Sequence, residues 1–168
     1  GWDDGTSSYP DDDARKAAPF AILDVAYDAQ QLVLSAAPAA VFPELKVYWS
    51  PLNSTAVGIG DPDIDYPAGN IGTTFYQSPD EDEGIPTAIY VLGAADDNTD
   101  EFDRQVVARA YATYYQEAFS RNDSVGGDHT FDDKLDISVA FTEGFADAFA
   151  TFVTGDPVLR NSFGAAQA

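Results

Sequence analysis

Glu143 and Asp147 are the two residues whose types and spacing most directly suggest chemistry. They lie four positions apart in a stretch predicted to be helical, so both carboxylates face one side of the helix. Such a pair could bind a metal ion, hold a cationic side chain or simply be solvated. The one histidine, His129, lies in a long glycine-bearing loop without a recognisable nucleophile beside it. We interpret it as a structural loop residue.

Asp61, Asp63 and Asp65 alternate along a loop in the manner of calcium ligands. Pro62 interrupts the pattern, and Tyr66 stands where a calcium loop needs its turn glycine, so this is not an EF-hand. A looser calcium site with oxygen ligands stays open here, or in residues 80–83 or 96–100. The alternative is that these acidic runs are solvated surface.

A long N-terminal helix is predicted over residues 14–36. Its apolar residues fall on two adjacent faces, which predicts a broadly buried helix. One face contains Phe20, Leu23, Tyr27 and Leu34, and the other contains Ile22, Ala26, Ala29 and Val33. The preceding residues 1–13 are acidic and rich in turn formers, so we expect an arm or entry loop.

Three short strands and two further helices complete the predicted fold. Aromatic and β-branched residues predict strands over 45–52, 71–77 and 87–92, which would form an antiparallel or mixed sheet. Thr99 or Asp100 could cap a helix running to Ser120. Asp136 could cap the last helix, which Gly155 ends. Aromatic side chains on these two helices are expected in the core: Tyr111, Tyr114, Tyr115, Phe141, Phe145, Phe149 and Phe152.

Three consecutive segments bring a resemblance to a known family. DRQVVARAYATYYQEAFSR, a Gly-Gly-x-His loop and VAFTEGFADAFA together resemble bacterial zinc metallopeptidases of the gluzincin type. The APFAILDVAYDA helix and the FYQ and IYVLG strands are similar to the same group. In that family the first helix carries the motif H-E-x-x-H and the second supplies a glutamate as third ligand.

The resemblance implies that the zinc site has been lost. Arg109, Ala110 and Thr113 occupy the positions of the two histidines and the catalytic glutamate. Arginine is permanently cationic, alanine has no base and threonine is a poor ligand. Glu143 matches the third ligand, and Asp147 lies where such families keep a carboxylate. Since His129 would add only one imidazole, we expect no zinc and predict instead that Arg109 pairs with Glu143 and Asp147 across two packed helices.

The amino-acid composition limits the classes of partner that the chain can bind. The 168 residues contain 29 acidic and 8 basic side chains, a formal net charge of -21 that repels nucleic acids and anionic membranes. A strongly acidic surface suits saline water or the collection of divalent cations. No run of about 20 apolar residues predicts a membrane span. The chain lacks cysteine and methionine and starts at Gly1, so we expect the mature part or a fragment of a longer, secreted protein.

Together these features predict an α+β fold: one zincin-like half-domain over residues 14–168, after the arm 1–13. The expected function is that of a noncatalytic, pseudo-peptidase domain outside the cell, serving binding, scaffolding or assembly with an unknown protein or with itself. Two alternatives stay open. One is an inactivated form of a zinc metallopeptidase, and the other is an acidic, calcium-dependent structural or adhesive module. Calcium is the one cofactor that remains an option.

Overall fold

The computed structural model describes residues 14–56, 69–80, 82, 84–95, 97–127, 132–163 and 166–167. The predicted arm, the three aspartates of the calcium hypothesis (Asp61, Asp63 and Asp65) and His129 lie outside these residues. Three α-helices and a three-stranded mixed sheet are the main elements of the described chain. The predicted α+β class, with a long N-terminal helix and two packed C-terminal helices, is confirmed.

The three helices are α1 (Ala18–Ala36), α2 (Arg104–Phe119) and α3 (Ile137–Thr154). A 3-10 turn, Ala14–Ala17, leads into α1. The predicted limits of α3 are confirmed: the carboxylate of Asp136 accepts a hydrogen bond from the Ser138 amide at 2.8 Å, and Gly155 ends the helix with φ 69°. Within the described residues, no helix is long and apolar enough to cross a membrane.

The prediction that a continuous helix begins at Asp100 is wrong. Residues Asp100–Phe102 form a separate 3-10 turn, and α2 begins only at Arg104. The physical reason is burial: Asp100 and Glu101 are each only 1% exposed, so the chain bends to turn both carboxylates inward. A capping carboxylate would instead have stayed at the solvated end of a helix.

The sheet consists of β1 (Lys46–Trp49), β2 (Phe75–Gln77) and β3 (Ala88–Val91). Its order is β1-β3-β2, with β3 parallel to β1 and antiparallel to β2, so the sheet is mixed. The central strand β3 is the most buried of the three. Two short segments that the sequence pattern did not indicate, β4 (Ser162–Phe163) and β5 (Ala166–Gln167), pair antiparallel near the end of the chain.

The core lies where α2 meets α1, α3 and the sheet. Tyr111 and Tyr114 on α2 are almost fully buried, as predicted. The hydroxyl of Tyr114 donates a hydrogen bond to the carbonyl of Pro43 at 2.7 Å, and the ring of Tyr111 stacks on Phe149 of α3. Tyr114 therefore fills the core and keeps its hydroxyl hydrogen-bonded.

Two predictions of burial are wrong. On α1, one apolar face is buried, but Phe20, Leu23 and Tyr27 on the other are between 58% and 68% exposed. On α3, Phe149 is buried and Phe145 is half-buried, whereas Phe141 and Phe152 are largely exposed. Apolar spacing identifies a stripe on a helix, but it does not say whether the protein covers that stripe.

Candidate functional site

Helices α2 and α3 pack against each other through aromatic rings. Tyr115 of α2 stacks on Phe149 of α3 with ring centroids 5.7 Å apart, and on Phe145 at 6.4 Å. These ring contacts fix the position of α2 relative to α3, and they therefore also fix which neighbouring side chains of the two helices lie opposite each other. This packing brings Arg109 of α2 opposite the two carboxylates of α3.

The guanidinium of Arg109 contacts both predicted partners. Its Nη2 donates a hydrogen bond to Oε2 of Glu143 at 2.7 Å. Its Nε lies 2.7 Å from Oδ1 of Asp147, but the N–H is not directed at that oxygen, so this contact is an ion pair without hydrogen-bond alignment. The predicted contact across the two helices is therefore present, and one cation bridges two carboxylates that lie one helical turn apart.

The bridge is only partly shielded from solvent. About a third of the Arg109 side chain is exposed, as are 38% of Glu143 and 58% of Asp147. Ion pairs at this exposure are each worth roughly 0.2–1 kcal/mol, because water screens them. One guanidinium also leaves the group with a net negative charge. The bridge thus links α2 to α3 through specific side chains and contributes modestly to the free energy of unfolding.

Ala110 and Thr113 occupy different surroundings on α2. Ala110 is 6% exposed and belongs to the hydrophobic core, so a longer acidic side chain there would have to displace core neighbours. The hydroxyl of Thr113 lies 3.4 Å from the carbonyl of Arg109, one turn earlier in the same helix. Neither side chain offers a base or a strong metal ligand beside the bridge.

The acidic runs of the calcium hypothesis are only partly described. Asp97 accepts hydrogen bonds from the amide and the hydroxyl of Thr55, at 2.6 and 2.5 Å. Asp80 pairs through its backbone with Ile85 and accepts a hydrogen bond from the Asp82 amide. In the described part of the chain, no group of three or more His, Cys, Asp or Glu side chains is arranged to hold a metal ion.

A buried charged cluster, which the sequence pattern did not reveal, surrounds the 3-10 turn before α2. Arg15 donates a hydrogen bond to Glu101, and both side chains are at most 5% exposed. The guanidinium also lies 5.7 Å from the ring centroid of Trp49. Asp103 is 8% exposed and accepts a hydrogen bond from the Ser162 amide at 2.6 Å. This turn therefore joins the residues preceding α1 to the segment following α3.

Burial dominates the protonation of this cluster. It raises the pKa of Asp100 to about 7, an effect that the charges of Asp103, Glu101 and Asp97 increase and a hydrogen bond from Thr74 reduces. Burial also raises the pKa of Glu101, although the hydrogen bond and charge of Arg15 oppose it. The Arg15 guanidinium pairs with Glu101 alone among the carboxylates of this turn, and protonation of Asp100 would reduce the repulsion that Asp103, Glu101 and Asp97 exert on it.

Asp100→Asn is expected to stabilise the protein in a pH-dependent way. A carboxyl whose pKa rises on folding contributes fully to stability below about pH 4 and loses that contribution as the pH rises through about 7. The free energy of unfolding of the variant should therefore be nearly equal to that of the wild type at pH 4 and exceed it by roughly 2 kcal/mol at pH 8. This gain is about half of the free energy that corresponds to the full pKa shift, at about 1.4 kcal/mol per pKa unit. Urea unfolding across this range measures the difference.

Glu44→Gln is the matched control for that experiment, because it removes an exposed carboxylate. Its effect on the free energy of unfolding should stay within about 0.5 kcal/mol across the same range. An advantage of Asp100→Asn that did not change between pH 4 and pH 8 would contradict the buried, shifted carboxyl.

A cleft of about 270 Å³ lies between the start of α2 and the segment after α3. Its charged lining residues are Asp103, Arg104, Asp156 and Arg160. Arg104 also pairs with Asp28, and Arg160 pairs with Asp156. Positive and negative charges in this cleft therefore largely cancel, and its lining does not include the Arg109 bridge.

Comparison with protein-family models, with curated proteins and with solved structures returned no match for this chain.

Proposed function

We propose that this chain is a noncatalytic, metallopeptidase-like domain that acts outside the cell in binding, scaffolding or assembly. The observation that carries the proposal is the Arg109 bridge. A cation stands between two helices at the position where the resemblance implies a zinc ion, and it contacts the carboxylate that corresponds to the third zinc ligand. A guanidinium can satisfy carboxylates that would otherwise repel each other.

The residues beside the bridge do not fit zinc. A zinc site needs about four nitrogen, sulfur or oxygen ligands, and Arg109 brings a permanent positive charge to the place that a metal would take. Glu143 and Asp147 are already engaged by that charge. The side chains beside Arg109 therefore do not supply the set of free ligands that a catalytic zinc ion needs.

Burial of Ala110 gives further support. The resemblance puts the general base of the peptidase at this position, where the chain has a small apolar side chain packed in the core. Loss of the base and loss of the two ligands are separate changes at Ala110, Arg109 and Thr113. Their combination favours a domain that has kept the packing of the two helices but has lost the residues needed for zinc-dependent catalysis.

Metal analysis and a peptidase assay test this proposal together. The full chain, dialysed against zinc and then against metal-free buffer, should retain no stoichiometric zinc in elemental analysis. It should also release no products from casein or from a mixed peptide library, with or without added zinc. Stoichiometric zinc together with hydrolysis that a chelator abolishes would overturn the proposal, since both need the ligands and base that the chain lacks.

A further inference from the structure

Helix α1 has two apolar stripes, of which only one is covered. Ile22, Val25 and Ala29 are at most 3% exposed and pack in the core. Phe20, Leu23 and Tyr27, spaced at positions i, i+3 and i+7, are 58–68% exposed on the opposite side. We call these three residues the outer stripe. A helix that is apolar on both sides is typically covered on both sides.

The charged residues within α1 have one sign, although the exposed Lys16 lies in the 3-10 turn just before the helix. The only charged residues within α1 are Asp24 and Asp28. Asp28 pairs with Arg104 of α2, which neutralises it locally. Asp24 is exposed and lies four residues after Phe20 and three before Tyr27, so it is at the edge of the outer stripe. A binding partner would therefore meet apolar side chains beside an acidic rim.

We propose that the outer stripe is the docking surface for a cationic amphipathic helix of a partner protein. Its apolar side chains would pack on Phe20, Leu23 and Tyr27, and its Lys or Arg residues would face Asp24. The spacing of the three anchors is the one by which a helix packs lengthwise against another apolar helix face. The outer stripe would serve the proposed binding role. Its exposure and spacing are properties of α1 alone, so they do not depend on the resemblance to peptidases.

Net charge favours this partner over a second copy of the chain. Each chain carries a formal charge of -21, so pairing two outer stripes would bring like charges together and set Asp24 near its counterpart. A cationic partner gains from the same field, which accelerates its association at low salt. The net charge of the chain and Asp24 at the edge of the outer stripe therefore both favour a positively charged partner.

The proposal is tested with synthetic peptides and the full chain. The probe is a fluorescent peptide of roughly 18 residues, in which Leu forms one helical face and Lys the other. Two comparison peptides replace Lys by Glu, or Leu by Ser. By fluorescence anisotropy, the Leu/Lys peptide should bind at least about tenfold more tightly than either, and more weakly as salt rises from about 0.05 to 0.5 M.

Two pairs of variants locate the binding. Phe20→Ser with Leu23→Ser should weaken binding at least about tenfold, whereas Phe141→Ser with Phe152→Ser removes exposed rings from α3 and should leave it unchanged. Asp24→Lys should weaken binding several-fold. Asp132→Lys changes the net charge equally at another exposed site and should have a smaller effect. Circular dichroism should confirm that all four variants are folded.

Several outcomes would overturn the proposal. These are equal binding of the Leu/Lys and Leu/Glu peptides, loss of binding in the α3 variant but not the α1 variant, or equal effects of the two lysine substitutions. A wild-type dimer in sedimentation velocity that Phe20→Ser with Leu23→Ser dissociates would instead assign the stripe to a second copy. None of these outcomes bears on zinc or on Arg109, so the proposed loss of catalysis is tested separately.

Discussion

Arg15→Met is expected to lower the free energy of unfolding by roughly 3–5 kcal/mol at pH 7, because it leaves the buried carboxylate of Glu101 without its cation. The side chain of Glu101 is fully buried, and that of Arg15 is 5% exposed. The variant also removes the cation that lies over the ring of Trp49. Urea unfolding at fixed salt measures the loss.

The loss should depend on pH. Without Arg15, Glu101 can escape its unpaired charge only by taking up a proton, which becomes harder as the pH rises. The destabilisation should therefore be smaller at pH 5 than at pH 8. The double variant Arg15→Met with Glu101→Leu removes both charges and should recover most of the lost stability.

Arg160→Met is the matched control. Its pairing with Asp156 is exposed, with 59% and 40% of the two side chains accessible, so its removal should cost no more than about 1 kcal/mol. Equal losses for Arg15→Met and Arg160→Met would show that the Arg15 pair is not buried in solution. The buried ion pair that we describe between Arg15, before α1, and Glu101, in the turn before α2, would then be wrong.

Short-range signals predicted the limits of α3 correctly. Asp136 and Gly155 act through atoms within a few residues of themselves, a side-chain cap and a positive φ, so their roles can be inferred from neighbouring residues. The three strands were also predictable, because their segments are rich in aromatic and β-branched residues, but this composition left an antiparallel and a mixed sheet equally open. Such features need no knowledge of distant parts of the chain.

The turn before α2 could not be predicted in this way. Asp100 and Glu101 look like acidic residues at the start of a helix, where they would be solvated. In the structure both are buried, and Glu101 is paired with Arg15, which lies 86 residues away. No periodicity or capping rule connects residues so far apart, and the pairing depends on how α1 and the sheet pack.

The outer stripe of α1 shows a second limit. Phe20, Leu23 and Tyr27 repeat with the same helical period as Ile22, Val25 and Ala29, so periodicity ranks neither stripe as the core. Packing against α2 and α3 decides, and it covers the face with the smaller side chains. The sequence pattern is therefore informative about apolar faces and silent about which one remains exposed.

The Arg109 bridge was predicted because the resemblance supplied information about distant residues. It paired a position on α2 with a position on α3, and the opposite charges at Arg109 and Glu143 then predicted a contact. The residues of the calcium hypothesis, Asp61, Asp63 and Asp65, and the loop residue His129 lie outside the described chain. Calcium thus remains a prediction from sequence alone.

Rebuilding two ligands should convert the bridge into a metal site if the frame has persisted. Arg109→His with Thr113→His sets two imidazoles one helical turn apart on α2, on the side that faces Glu143. With Glu143 they supply three ligands, and water can provide the fourth. Ala110 is left unchanged because it is buried, so metal binding is tested without disturbing the core.

Zinc titration of this double variant by isothermal calorimetry therefore tests the central claim, that Arg109 stands in the place of the metal. If Arg109 occupies that place, the double variant should bind one zinc per chain with roughly micromolar or tighter affinity, at least about a hundredfold more tightly than the wild type does. Adding Glu143→Gln should weaken that binding at least about tenfold. Zinc binding no tighter than in the wild type, or indifferent to Glu143, would contradict the claim.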